Sequence, residues 1–262
     1  MVGIVRSELV RVGQRRTLLI WFGLMALFAL MVNAVMSTVV GQPTTLPTPG
    51  ATFPTLEQLE SPAGLMAGLP AASSMFGIIT LSMWAWFTAQ DYSSGLIRLL
   101  VAAEPRRWRL LAGKFVALLV VTTVATTVAA AVNLLAAPII GASGIDTHAW
   151  GTDAGRIIAE AWTHALLGQV VWGALGLVIA VMSRSAVTAV SIGVGYVLVV
   201  ESMVKMVSGA PTDWLLGTTL NAIASGGTST LSFGTALSAG AGYVIVALVL
   251  AGVIVTRRDV TD

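Results

Sequence analysis

Glu201 and Lys205 stand one helical turn apart in an apolar stretch, acid first, which is the favourable order for an intrahelical ion pair. A charge buried in hydrocarbon costs at least ~2.5–3.5 kcal/mol unless it is paired or wet. Arg156, Glu160 and His164 recur every four residues on another apolar stretch and so share one helix face. Deeper in the apolar stretches the polar groups are neutral: Asn33, Asn133, Gln169 and several Ser and Thr. Two readings of the charged residues stay open. They form the polar mouth of a pathway, or they are helix-end ion pairs whose side chains reach the interface.

Other chemistry is poorly provided for. With no cysteine and two histidines, neither a disulfide nor a metal centre is expected. Gly113-Lys114 is followed by Phe115 where a phosphate-binding loop needs Ser or Thr, so no ATP site is expected on this chain. Gly141-Ala142-Ser143-Gly144 has the Gly-x-Ser-Gly form of an intramembrane serine protease. That chemistry needs a histidine base on a later span. His148 sits on the same loop as Ser143 and His164 on the fourth span, so a Gly/Ser turn is the better reading and the protease an unfavoured alternative.

The elements that must position these residues are membrane spans. The chain is 56% hydrophobic and 10% charged, a composition outside that of soluble domains. Six long apolar segments are expected, at about 17–40, 66–90, 115–140, 156–182, 186–207 and 236–256. Twelve of the fourteen basic residues fall on one side of that layout, leaving only Arg156 and Lys205. Lys and Arg stay cytoplasmic during insertion, so both termini are expected in the cytoplasm of a multi-pass cell-membrane protein. The basic pI of 9.4 then reflects cytoplasmic loops, not nucleic-acid binding.

The fold class expected is all-α and polytopic, one transmembrane domain over 1–262. Residues 1–16 carry Val2, Val5, Leu9 and Val12 at helical spacing, an interfacial amphipathic helix. Residues 41–63 form a proline-rich outer loop, and Trp84 and Trp86 serve as interface anchors on the second span. Residues 208–235 are too apolar for a free loop and too broken for a span, so a re-entrant or interfacial helical pair is expected. A midplane without an acid argues against a gradient-driven transporter, which remains the alternative. A weakly polar interior suits an amphipathic or lipid-like substrate.

Residues 90–114 read QDYSSGLIRLLVAAEPRRWRLLAGK, a short helix ended by Pro105 and followed by arginines that open the third span. This segment resembles the permease subunits of ABC-2-type ABC transporters. Asp91, Gly95, Arg98, Leu99, Leu100, Pro105, Arg107 and Lys114 match the pattern, and Leu96 replaces its usual Thr. Chain length, span number, an N-terminal connecting helix and re-entrant helices before the last span extend the resemblance. It implies a coupling helix between spans two and three, with Asp91, Gly95, Arg98, Pro105 and Arg107 as coupling residues. It further implies an exporter half that is not itself an enzyme and binds no cofactor. Two separate ATP-binding subunits would carry ATP and Mg, and a second identical or related permease would complete the pathway for drug-like or lipid-like cargo.

Overall fold

A computed structural model describes residues 2–39, 54–104, 106–207 and 212–257. Among them every regular element is helical: α1 (Val2–Val12), α2 (Arg15–Val39), α3 (Leu56–Glu60), α4 (Gly68–Ala71), α5 (Ser73–Ser93), α6 (Leu96–Ala103), α7 (Arg107–Gly141), α8 (Ala154–Ser183), α9 (Ala186–Gly195), α10 (Ser202–Val207), α11 (Leu216–Ala224) and α12 (Phe233–Arg257). Short 3-10 turns cover Pro62–Met66 and His148–Gly151, and a π-helical segment, Tyr196–Glu201, joins α9 to α10.

Five helical stretches are long and apolar enough to cross a membrane: Arg15–Thr38, Arg107–Gly141, Ala154–Ser183, Ala186–Val204 and Phe233–Val255. The chain therefore has the make-up of a multi-pass membrane protein. α5 is not among them. It is the inner helix of the bundle, with 12 of its 21 residues buried, so most of its surface meets protein rather than solvent or lipid.

Glycines let α5 and α8 approach closely, the usual device where helix association cannot draw on a hydrophobic driving force. A Cβ at Gly173 would lie 2.5 Å from the Trp84 indole, one at Gly77 would overlap the Trp172 indole, and one at Gly176 would overlap the Leu81 carbonyl. Some polar groups pair between helices: Thr80 Oγ1 donates to Gln169 Oε1 at 3.0 Å and Trp84 Nε1 to Thr122 Oγ1 at 2.8 Å.

Several expectations change. The second apolar segment does not run unbroken from 66. Gly68 packs against Asn33 and Asn133 with no room for a Cβ, Pro70 follows, and a regular helix starts only at Ser73. Trp84 is wholly buried and belongs to the core, whereas Trp86 is exposed. α3 forms inside the proline-rich loop because Thr55 and Gln58 make a reciprocal capping box. α7 starts eight residues before the expected span, at Arg107. At ~1.5 Å per residue its 35 residues reach about 52 Å, well beyond a ~30 Å hydrocarbon core. Residues 40–53, most of the expected outer loop, lie outside the described residues, as do Pro105, 208–211 and Arg258.

Candidate functional site

One end of the bundle gathers α1, the C-terminal ends of α5, α8 and α12, the start of α7, and α6. Its centre is an ionic junction. Lys114 Nζ lies 2.7 Å from Asp91 Oδ2 and 3.0 Å from Glu8 Oε2, and donates also to the Phe87 carbonyl at 3.3 Å. Arg11 Nη1 meets Glu8 Oε1 at 2.7 Å, and its Nη2 closes the ring on Asp91 Oδ1. Asp91 is 2% exposed, Glu8 3% and Lys114 7%, so the charges are held by one another rather than by water. Burial works against the Arg11 charge, but its hydrogen bond and proximity to Asp91, with Glu8 behind, outweigh it and raise its pKa above the ordinary arginine value. Each ion taken alone from water costs several kcal/mol, and only the completed two-acid, two-base set offsets that cost.

The helices are shaped to close the ring. Glu8 and Arg11 sit three apart on one face of α1, and Gly113 lets α1 lie against α7, since a Cβ there would stand 2.5 Å from Ile4 Cγ2. After Asp91 the chain turns at Gly95, whose φ of 71° falls in the left-handed region that a Cβ disfavours. α6 then runs with none of its residues buried, and Leu99 is 69% exposed. Thus Gly95 and Arg98 lie at the surface, Asp91 does not, and Arg107 donates from Nη1 to the Val255 carbonyl at 3.0 Å, tying α7 to α12. Asp91 therefore cannot itself grip a soluble partner; it positions the base from which α6 projects. Pro105 lies outside the described residues.

The other end holds Glu201. The π-helical segment that ends at this residue turns its carboxylate, 2% exposed, onto the start of α11. Oε2 accepts from the Gly217 amide at 2.7 Å, and Oε1 from the Thr218 amide at 2.8 Å and the Thr218 hydroxyl at 3.0 Å. Leu215, the N-cap residue of α11, has no side-chain oxygen to satisfy these amides, so Glu201 caps the helix from sixteen residues upstream. The backbone of Lys205 lies in α10, and its side chain is outside the described residues.

A protein-family model matches residues 51–261, with the description "Protein of unknown function (DUF2705)". The chain belongs to the DUF2705 family. No curated protein gives a significant match. In this DUF2705 chain the match takes in Asp91, Lys114 and Glu201, and stops short of Glu8 and Arg11.

The remaining candidates separate. Arg156 and Glu160 pair at 2.9 Å on an exposed surface, where such a bond is worth little. His164, one turn further, turns inward against the Phe233 ring, 4.4 Å between centroids, beneath Gly226. Asn133 accepts from Asn33 Nδ2 at 2.9 Å, and both are 1% exposed, so it clamps α2 to α7. Ser143 donates its hydroxyl to the Ile140 carbonyl as part of the end of α7. Glu8 is the junction residue that sequence reasoning does not single out. The available signal was that it is the only acid in the first fifty residues, among four arginines.

Removing the Glu201 cap has a local, measurable result. In Glu201→Ala two α11 amides lose their acceptor, at about 1–3 kcal/mol for a buried donor. Hydrogen exchange at Gly217 and Thr218 should accelerate at least tenfold, with a smaller change in Glu201→Gln, while α7 exchange stays constant. Unchanged exchange in the alanine variant would exclude the cap.

Proposed function

We propose that this DUF2705 chain is the membrane-spanning permease subunit of an ATP-driven exporter of the ABC-2 type. The observation that carries the reading is α6. It is a short helix with no buried residue, braced at its root by the Asp91–Lys114–Glu8–Arg11 junction, at the end of the bundle where the arginines collect. A motor subunit that pushed on Leu99 and Arg98 would act through that junction on α1, α5 and α7 together. In this reading α5 is a sixth span, both termini are cytoplasmic, α11 is a re-entrant helix at the outer face, and Glu201 holds it. ATP and Mg belong to two separate ATP-binding subunits, a second permease completes the pathway, and an amphipathic, drug-like or lipid-like cargo leaves the cell. Gradient-driven transport is the second reading, and buried Glu201 is the observation that favours it, as an ionisable group within an apolar helix.

Because the chain has no cysteine, a single Leu99→Cys reports on this cleanly. The thiol should resist an impermeant maleimide in intact cells, react in inverted vesicles, and be protected at least fivefold when the cognate ATP-binding subunit is added. Reaction from outside intact cells reverses the orientation. Full reactivity with the ATP-binding subunit bound removes α6 as its dock.

A further inference from the structure

Beside the junction, a cavity of about 670 Å³ opens between α6 and the ends of α5, α7, α8 and α12. We propose that it binds the phosphate of an anionic phospholipid from the leaflet at the basic end of the bundle. Arg98 of α6, Arg107 of α7 and Arg184 at the end of α8 converge on it, and among the described residues that line it none is acidic. Three cations drawn from three separate elements into one hollow form a phosphate-binding arrangement, because guanidinium groups match phosphate oxygens bidentately. Ser93 and Ser94, whose hydroxyls donate to the Gln90 carbonyl, complete the polar side of the wall.

Arg184 is held in place twice over. Its backbone is left-handed at φ 53°, where the chain turns from α8 into α9, and its guanidinium stands 5.9 Å from the Tyr92 ring. The rest of the wall, Val181, Ile254 and Val255 among others, is apolar. A lone inorganic anion has no use for such a wall, whereas a glycerolipid has both a phosphate and a hydrocarbon portion to place. The level is also right for a headgroup. Trp108 follows Arg107, is 53% exposed and carries the Arg109 guanidinium at 5.6 Å, the amphipathic arrangement found at membrane interfaces. Basic hollows between membrane helices on that side recognise lipid headgroups, and the volume is that of an ordinary small-molecule site. A bound lipid joins α6 to the ends of α8 and α12, elements that the ionic junction does not reach. The inference rests on the basic cavity and the membrane-protein character, not on the transport reading.

The test uses the full chain in detergent, titrated separately with phosphatidylglycerol, phosphatidylcholine and inorganic phosphate, followed by native mass spectrometry and thermal unfolding. Phosphatidylglycerol should be retained and should raise the unfolding midpoint, and phosphatidylcholine should do neither. Arg98→Gln with Arg184→Gln should cut retained phosphatidylglycerol at least fivefold. Arg98→Gln alone, at an exposed position, should cut it about threefold and serves if the double variant does not fold. Equal retention of the two lipids, or retention unchanged in the variants, overturns the proposal. A phosphate effect equal to that of phosphatidylglycerol assigns a soluble anion and overturns the lipid. Loss of a bound ATP-binding subunit in the variants, with lipid retention intact, assigns the cavity to a protein partner and also overturns it.

Discussion

Asp91→Ala should lower stability by about 3–5 kcal/mol, the cost of leaving buried charges unpaired. Asp91 touches both Lys114 and Arg11, so its loss leaves the Lys114 ammonium, 7% exposed, with Glu8 as its one remaining acid in the ring. Thermal unfolding of the purified chain measures the effect, with monodispersity as the control for aggregation. The pairwise nature of the junction gives a sharper signature than the loss itself. Adding Lys114→Met to Asp91→Ala removes the stranded cation and should recover part of the stability, since residues of one network do not add. Arg98→Ala, at the third residue of α6 and at the surface, should change the midpoint little. A double variant at 91 and 114 less stable than the sum of the singles would mean that the ring does not bear the load described.

Gly176→Val should be at least as damaging, by a different route. Any Cβ at 176 overlaps the Leu81 carbonyl and stands 3.0 Å from its carbon, and the obstacle is backbone that cannot rotate away. Overpacking of a core costs about 1–3 kcal/mol when side chains can adjust, and this contact lies beyond that range. α5 and α8 should separate and the chain should fail to yield a monodisperse folded species. Gly242→Val is the control, because a Cβ there meets nothing within 4 Å. Equal yields from the two variants would refute the close α5–α8 contact.

Much of this fold is written in its local composition. The apolar runs and the placement of the arginines locate α2, α7, α8 and α12 to within a few residues, apart from the early start of α7, because hydrophobic length and charge are properties of single segments. The interior of the bundle is another matter. Trp84 looks like an interfacial anchor because tryptophan favours that position, and only the opposing Gly173 and Thr122 make it a core residue. The break at 66–72 follows from the approach of Gly68 to Asn33 and Asn133, partners far away in the chain. The candidate site divides in the same way. Gly95 and Arg98 come from the resemblance of residues 90–114, and the spacing of Leu96, Leu99, Leu100 and Ala103 marks α6, although it extends the helix back to Tyr92 across the turn at Gly95. The junction is not legible, because it joins Glu8, Asp91 and Lys114 across more than a hundred residues, and helical periodicity carries no information about which distant charges meet. Glu201 was recognisable as a costly residue, but its partner amides lie on α11, beyond the reach of the i to i+4 rule that pairs it with Lys205.

The burial of α5 also sets an order of events during synthesis. Twelve of its 21 residues are buried by other elements, and the helix it packs against most closely, α8, starts at Ala154, sixty-one residues after α5 ends at Ser93. At ~5–20 residues per second, α5 waits on the order of 3–12 s for even the first turn of that partner to be made. Through that interval α2, which is already present, is the earlier long helix that α5 can pack against. In the six-span reading, maturation therefore waits on a late helix, and a pause in translation before residue 154 leaves α5 without the partner that buries most of it.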